Sequence, residues 1–203
     1  MEKKNHTDAV PENRTGDEVD AETVKECATV AEAVALYNTA KRRLLDVNSW
    51  HEVSGEHLAH FMLADSAGNP LTGPVQKGAM IRIDIPGPGT KEADGYDWVM
   101  VEEVAEETSE GVESVAVRVR PASDPTSATT ETAHFYAPEA TSTFTISRNH
   151  LTVSAGVYDR NLSPNQDSEG LFDKIRNAIV GFIGEKALSA VQWEAFTEGL
   201  LAT

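Results

Sequence analysis

Hydrophobic and polar positions recur along this chain with two different periods, and the switch points between them divide it into elements. Val30, Ala33, Val34, Tyr37, Ala40 and Leu44 follow one another at three- and four-residue spacing, which predicts an amphipathic helix over 30–46. Thr29-Val-Ala-Glu32 ahead of it has capping-box form: a threonine oxygen for the first turn and a glutamate that reaches back. Lys41, Arg42 and Arg43 fall in the last turn, where cations suit the helix dipole, and Asp46-Val-Asn48-Ser49 ends the element.

The period then drops to two. His60–Ala64 is a short apolar strand ending at the turn formers 65–70. Met80–Ile85 alternates cleanly, with Ile81, Ile83 and Ile85 on one face and Arg82 and Asp84 on the other. Tyr96–Val104 and Val112–Arg120 flank a glutamate-rich hairpin loop. Tyr96–Val101 is apolar on both faces, as a central strand would be. A Ser/Thr/Pro/Ala-rich loop over 121–132 precedes strands at 133–137 and 141–147. A last strand over 150–158 keeps Leu151, Val153, Ala155 and Val157 on one face. The helical period returns over 169–183 and again after Ser189-Ala-Val-Gln192, a second capping box, with Trp193, Phe196 and Leu200 in phase. Strand and helix patterns do not alternate as βαβ units would. The expected fold class is therefore α+β: a mostly antiparallel curved sheet of five to seven strands, with an N-terminal helix and two C-terminal helices packed on it.

Composition modifies this picture at the start of the chain. Residues 1–22 hold no aromatic residue, leucine or isoleucine, and seven acids against three bases. The expectation is a disordered acidic tail over 1–28 and a single domain over 29–203. The 203 residues carry 33 acids and 17 bases, a formal net charge of −16. Removing the tail leaves the balance strongly negative, which disfavours nucleic acid and anionic membranes as partners. Cys27 is the only cysteine, and no apolar run approaches the roughly 20 residues that span a bilayer, so the expected location is cytoplasmic.

The segment "IRIDIPGPGTKEADGYDWV" holds the most unusual local chemistry. A phosphate loop needs Gly-Lys-Ser/Thr and then a helix. Here Lys91 follows Thr90, a strand follows, and Pro86 and Pro88 remove two backbone donors. The better reading is a rigid bent connection whose function, if any, is to rim a pocket. His51, His57 and His60 lie close in sequence with Glu52 and Glu56, but a helix would be needed to put a pair on one face, and no metal is expected. No Gly-x-Ser-x-Gly is present, and no cofactor motif. Carboxylates at 84, 94 and 97 beside the turn read first as caps.

Five of the nine arginines lie on strands or at strand ends: Arg82, Arg118, Arg120, Arg148 and Arg160. Pairing with the many carboxylates is one account of them. The other is a concave surface that receives an acidic ligand, because the guanidinium fork suits carboxylate and phosphate. The candidate ligand-binding set is then Arg82, Asp84, Asp94, Tyr96, Trp98, Arg118, Arg120, Arg148 and Tyr158, with the aromatic residues as an apolar wall.

The stretches "AKRRLLDVNSWHEVSG", "IRIDIPGPG", "GYDWV" and "EATSTFTISR" together resemble an uncharacterised bacterial protein family of the Bacteroidetes type, over most of 30–200. The resemblance implies no activity, substrate or catalytic residue. In architecture the chain is similar to the START-like helix-grip domains, which bind lipids and other apolar ligands. It departs from them in having two short C-terminal helices in place of one long one. Three functional readings follow. The first is a non-catalytic domain binding a small, partly apolar ligand between sheet and helices. The others are an interaction or homodimerisation module, and an enzyme of unrecognised type centred on Asp84, Asp94, Asp97 or the histidines.

Overall fold

Seven strands form one antiparallel sheet in the order β1-β7-β6-β5-β4-β3-β2. In the computed structural model, which describes residues 6–55, 59–84, 96–128, 136–163 and 185–203 (side chains in the last segment from 192), they are β1 Asp17–Glu26, β2 His60–Ala64, β3 Met80–Asp84, β4 Asp97–Ser109, β5 Val112–Pro121, β6 Thr141–Asn149 and β7 Thr152–Leu162. Among the described residues three α-helices accompany them: α1 Val30–Leu45, α2 Trp50–Ser54 and α3 Glu185–Leu200, with a 3-10 turn over Val47–Ser49. The class is α+β, as the periods predict. The helix expected over 169–183 and the glycine-proline connection over 85–95 lie outside the described residues.

The capping box forms as read. Thr29 Oγ1 accepts from the Glu32 backbone N–H at 3.2 Å, and Glu32 Oε2 reaches back to the N–H of Ala28 at 3.1 Å. The box at Ser189 does not start a helix, because α3 already begins at Glu185. Arg43 has a different partner from the one expected. Its guanidinium donates to the carbonyls of Gly199, Leu200 and Ala202 at 3.2, 3.0 and 2.6 Å, so α1 supplies the cation for the negative end of α3.

Two further expectations are corrected. Residues 17–26, read as part of a disordered tail, form β1 and pair with β7 from Asp17↔Leu162 to Glu26↔Thr152. The composition argument fails here because an edge strand gains a backbone ladder from its neighbour and needs little apolar surface of its own. Ala21 is buried opposite Val157, and Thr23 Oγ1 meets Thr197 Oγ1 at 2.9 Å. The second correction concerns the central strand, which is β5 and not β4.

The helices cover one face of the sheet, here called inner. Ile81, Val99, Val101, Val115, Val117, Val119, Phe144, Ile146, Val153, Ala155 and Val157 lie on that face and form one core cluster with buried residues of α1, α2 and α3. Trp50 anchors the middle, with its ring 5.2, 4.8 and 5.0 Å from those of Phe61, Phe144 and Phe196, and its indole N–H on the Leu44 carbonyl at 3.0 Å. Burying side chains of this size contributes about 1.5–3 kcal/mol each. A bulge between Val101 and Glu103 keeps this face apolar on β4: Val101 pairs Val119 and Val104 pairs Val117, with Glu102 the extra residue.

One end of the sheet carries the β4–β5 and β6–β7 turns, which bond to each other. The His150 N–H donates to the Gly111 carbonyl at 2.8 Å, and Arg148 donates to the carbonyls of Gly111 and His150 at 3.2 and 3.1 Å. The opposite, open end holds the start of β4, the ends of β3, β5 and β7, and the start of β6.

Candidate functional site

The inward phase of β7 runs Val153, Ala155, Val157 and then Asp159. Alternation therefore drives a carboxylate into the face that the helices cover, at the open end. Asp159 is 3 % exposed. Its Oδ2 accepts the indole N–H of Trp193 from α3 at 2.8 Å, while Oδ1 has no hydrogen-bond partner among the described residues. Burial pushes its pKa up to about 6, against the lowering effect of Ser142, Trp193 and Arg160. Ser142 stands opposite it on β6, and Phe144 packs edge-on against Trp193 at 5.4 Å.

Asp97 holds the same position on β4. It pairs Ile83, precedes the inward residues Val99 and Val101, and is 8 % exposed. Its Oδ2 is also without a partner among the described residues, and burial alone pushes its pKa to about 7. Both acids thus hold an oxygen that can accept a hydrogen bond and has no donor among the described residues.

The hairpin end is arranged differently. Arg148, buried on the inner face, pairs Glu113 at 2.7 Å, and Lys41 from α1 pairs Glu106 at 2.5 Å. Lys25 reaches the Leu201 carbonyl at 3.5 Å. Tyr37 lies beside this group; its own burial, then the charges of Glu113 and Glu106, raise its phenol pKa. Charges there are matched. At the open end the two inward acids face no lysine or arginine among the described strand residues.

The residues proposed from the sequence do not converge on one site. Arg118, Arg120 and Tyr158 lie on the outer face, since Val117, Val119 and Val157 take the inward phase. Arg118 pairs Glu102 and Glu103 at 3.1 and 2.8 Å, and Arg120 pairs Glu102 at 2.5 Å, because the bulge sets both glutamates on that face. Burial disfavours charge on Glu102, yet hydrogen bonds and charge from Arg120 and Arg118 hold its carboxyl below the usual range. Arg160, also outward, pairs Asp20 at 2.5 Å and Glu18 at 3.7 Å. Arg148 is at the hairpin end. Arg82 stacks on Tyr96 at 4.1 Å and registers with Trp98, while Asp84 is exposed at the end of β3; these four share the open end. Asp94 and His57 lie outside the described residues. His51 and His60 bring their rings to 5.1 Å, and no group of three or more potential metal ligands occurs among the described residues.

The reading from sequence passed over Asp159, Ser142 and Trp193 as site residues. The signal for Asp159 was present: it is the next residue in phase after Val153, Ala155 and Val157. Its partner on α3 is 34 residues away and left no trace in the pattern. Elsewhere, an open groove of about 560 Å³ lies along α1 between Asn38, Lys41, Arg42 and the Gly73-Pro74 loop, apart from Asp159, Ser142 and Trp193.

Several solved structures match the chain's architecture loosely, with low TM-scores. Ginseng major latex-like protein 151 from Panax ginseng matches with a TM-score of 0.42 at 8% identity, over 92% of this chain and 97% of that one. Truncated norcoclaurine synthase from Thalictrum flavum gives 0.37 at 10% identity, over 95% and 99%. A protein from Nitrosospira multiformis gives 0.37 at 10%, over 88% and 97%. A likeness at this level says nothing of this chain's activity or family. No family model matches the chain and no curated protein matches it, so the resemblance to a bacterial family stays an expectation. Among the described residues, no helix is long and apolar enough to cross a membrane.

Proposed function

We propose that this chain is a non-catalytic domain that binds a small, partly apolar ligand against the open end of the inner face. One observation carries the reading: Asp97 and Asp159 are buried on the face covered by the helices, and each keeps a carboxylate oxygen unbonded among the described residues. Leaving a buried acceptor unsatisfied costs about 1–3 kcal/mol, and a ligand that supplies donors removes that cost. Phe144 and Trp193 provide aromatic surface next to Asp159, and the middle of the face, packed around Trp50, provides a floor. Arg82, Asp84, Tyr96 and Trp98 belong to the rim in this reading, because they share that end of the sheet. The lone Cys27 supports a reducing, cytoplasmic setting.

The test is titration with Nile red, a neutral apolar dye. Saturable one-to-one fluorescence enhancement is expected. Ser142→Trp, which fills space beside Asp159, should weaken it by about tenfold with the circular dichroism spectrum unchanged. A wild-type protein that shows no saturable enhancement, or a folded Ser142→Trp variant that binds as well as wild type, overturns the reading.

A further inference from the structure

Charge is segregated along the inner face of the sheet, and the segregation specifies the polar end of the ligand. At the hairpin end, basic and acidic side chains meet: Arg148 with Glu113, Lys41 with Glu106. At the open end the inward charged side chains among the described strand residues are both acids, Asp97 and Asp159, and each retains an oxygen without a partner among the described residues. The nearest guanidinium in sequence, that of Arg160, points to the other face and is occupied by Asp20 and Glu18. Asp159 has one oxygen fixed by the Trp193 indole N–H, so the carboxylate is oriented by an element other than its own strand.

We infer that the ligand of this site, resting on the function proposed above, is an organic cation: a primary or secondary ammonium group on a small apolar or aromatic body, with the ammonium on the free Oδ1 of Asp159. An ammonium brings two or three N–H donors and a full positive charge to the oxygen that has no donor among the described residues, and a charge-assisted hydrogen bond is the strongest neutralisation open to it. Trp193 and Phe144 put aromatic surface beside Asp159 for the apolar or aromatic body of such a ligand. An anionic ligand would add a third negative charge where no inward base stands among the described strand residues. A bare metal ion does not fit either. Asp97 on β4 and Asp159 on β7 have β5 and β6 between them, three strand spacings or about 14 Å along the sheet. Oxygen ligands to one hard cation lie about 2–2.6 Å from it. An organic ligand, with its charge on one group of a larger body, does not need both acids at one centre. Asp97 is left for a second donor on that body, or for none.

Competition against Nile red at pH 8 with three probes of similar size tests this: 2-phenylethylammonium, 2-phenylethanol and 3-phenylpropanoate. The ammonium should displace the dye at concentrations about tenfold below the alcohol, with the propanoate weakest. Asp159→Asn should abolish the ammonium advantage and leave the alcohol unchanged; Asp97→Asn should keep the advantage. Equal displacement by all three, or preference for the propanoate, overturns the cationic ligand while dye binding still supports a ligand site. Loss of the advantage in Asp97→Asn but not in Asp159→Asn overturns the placement at Asp159. Absence of dye binding in wild type removes the underlying function and this inference together. Should Asp159→Asn fail to fold, the ranking of the three probes on wild type decides.

Discussion

An acid held in an apolar face makes stability depend on pH, and Asp97 is the clearest case in this chain. Its pKa rises from 3.8 to about 7 through burial alone. Between those values the native state keeps a proton that the unfolded chain releases. The contribution is therefore complete below about pH 4 and is lost as pH rises through 7. Asp159 acts with the same sign up to about pH 6. Asp97→Asn, which cannot ionise, should raise stability at pH 8 by roughly 1–3 kcal/mol and flatten the decline between pH 4 and 7. Urea unfolding at pH 4, 6 and 8 measures it; a variant that parallels wild type at all three values would show that Asp97 is not the source. Trp193 belongs to the same scale, because its indole N–H fixes one oxygen of Asp159 and leaves the other available.

Among the elements, period two located five strands to within a few residues, because each side chain is assigned to a face by its neighbours. The exceptions have local causes. Val101-Glu-Glu-Val104 breaks the alternation, and the structure resolves the break as a bulge that puts two glutamates against Arg118 and Arg120. The strand β4 also runs to Ser109, past the loop expected at Glu106 and Glu107, leaving a two-residue turn at Glu110-Gly111. Gly111 has φ +75°, and a Cβ there would lie 2.5 Å from the His150 ring. Gly111→Ala should therefore destabilise the protein by roughly 1–3 kcal/mol, seen as a lower thermal midpoint. An unchanged midpoint would mean that the bond between the two turns contributes nothing.

For the whole molecule, the N-terminal residues are part of the fold where composition suggested a dispensable tail. Beyond β1, Ala9 is buried and its carbonyl takes a hydrogen bond from Arg118 at 2.8 Å, while Asn13 and Asn161 tie the approach to β1 onto β7. Deleting residues 1–26 uncovers the edge of β7, the Thr197 contact and the partners of Arg160. The shortened chain should unfold at markedly lower temperature or self-associate through the freed edge. A monomer with wild-type stability, by sedimentation and thermal melting, would restore the tail reading. The sequence by itself determined the helix and strand periods, the α+β class, the α1 cap and the strong acidity, since these depend on neighbours within a few residues. Only the tertiary structure decided the rest. It recruited β1 through a ladder with residues about 140 positions away, set Arg43 on the far end of α3, and divided the strand arginines between two faces. It also brought Trp193 to Asp159. Each of these is a contact between elements, and local periodicity carries no information about which distant partner closes it.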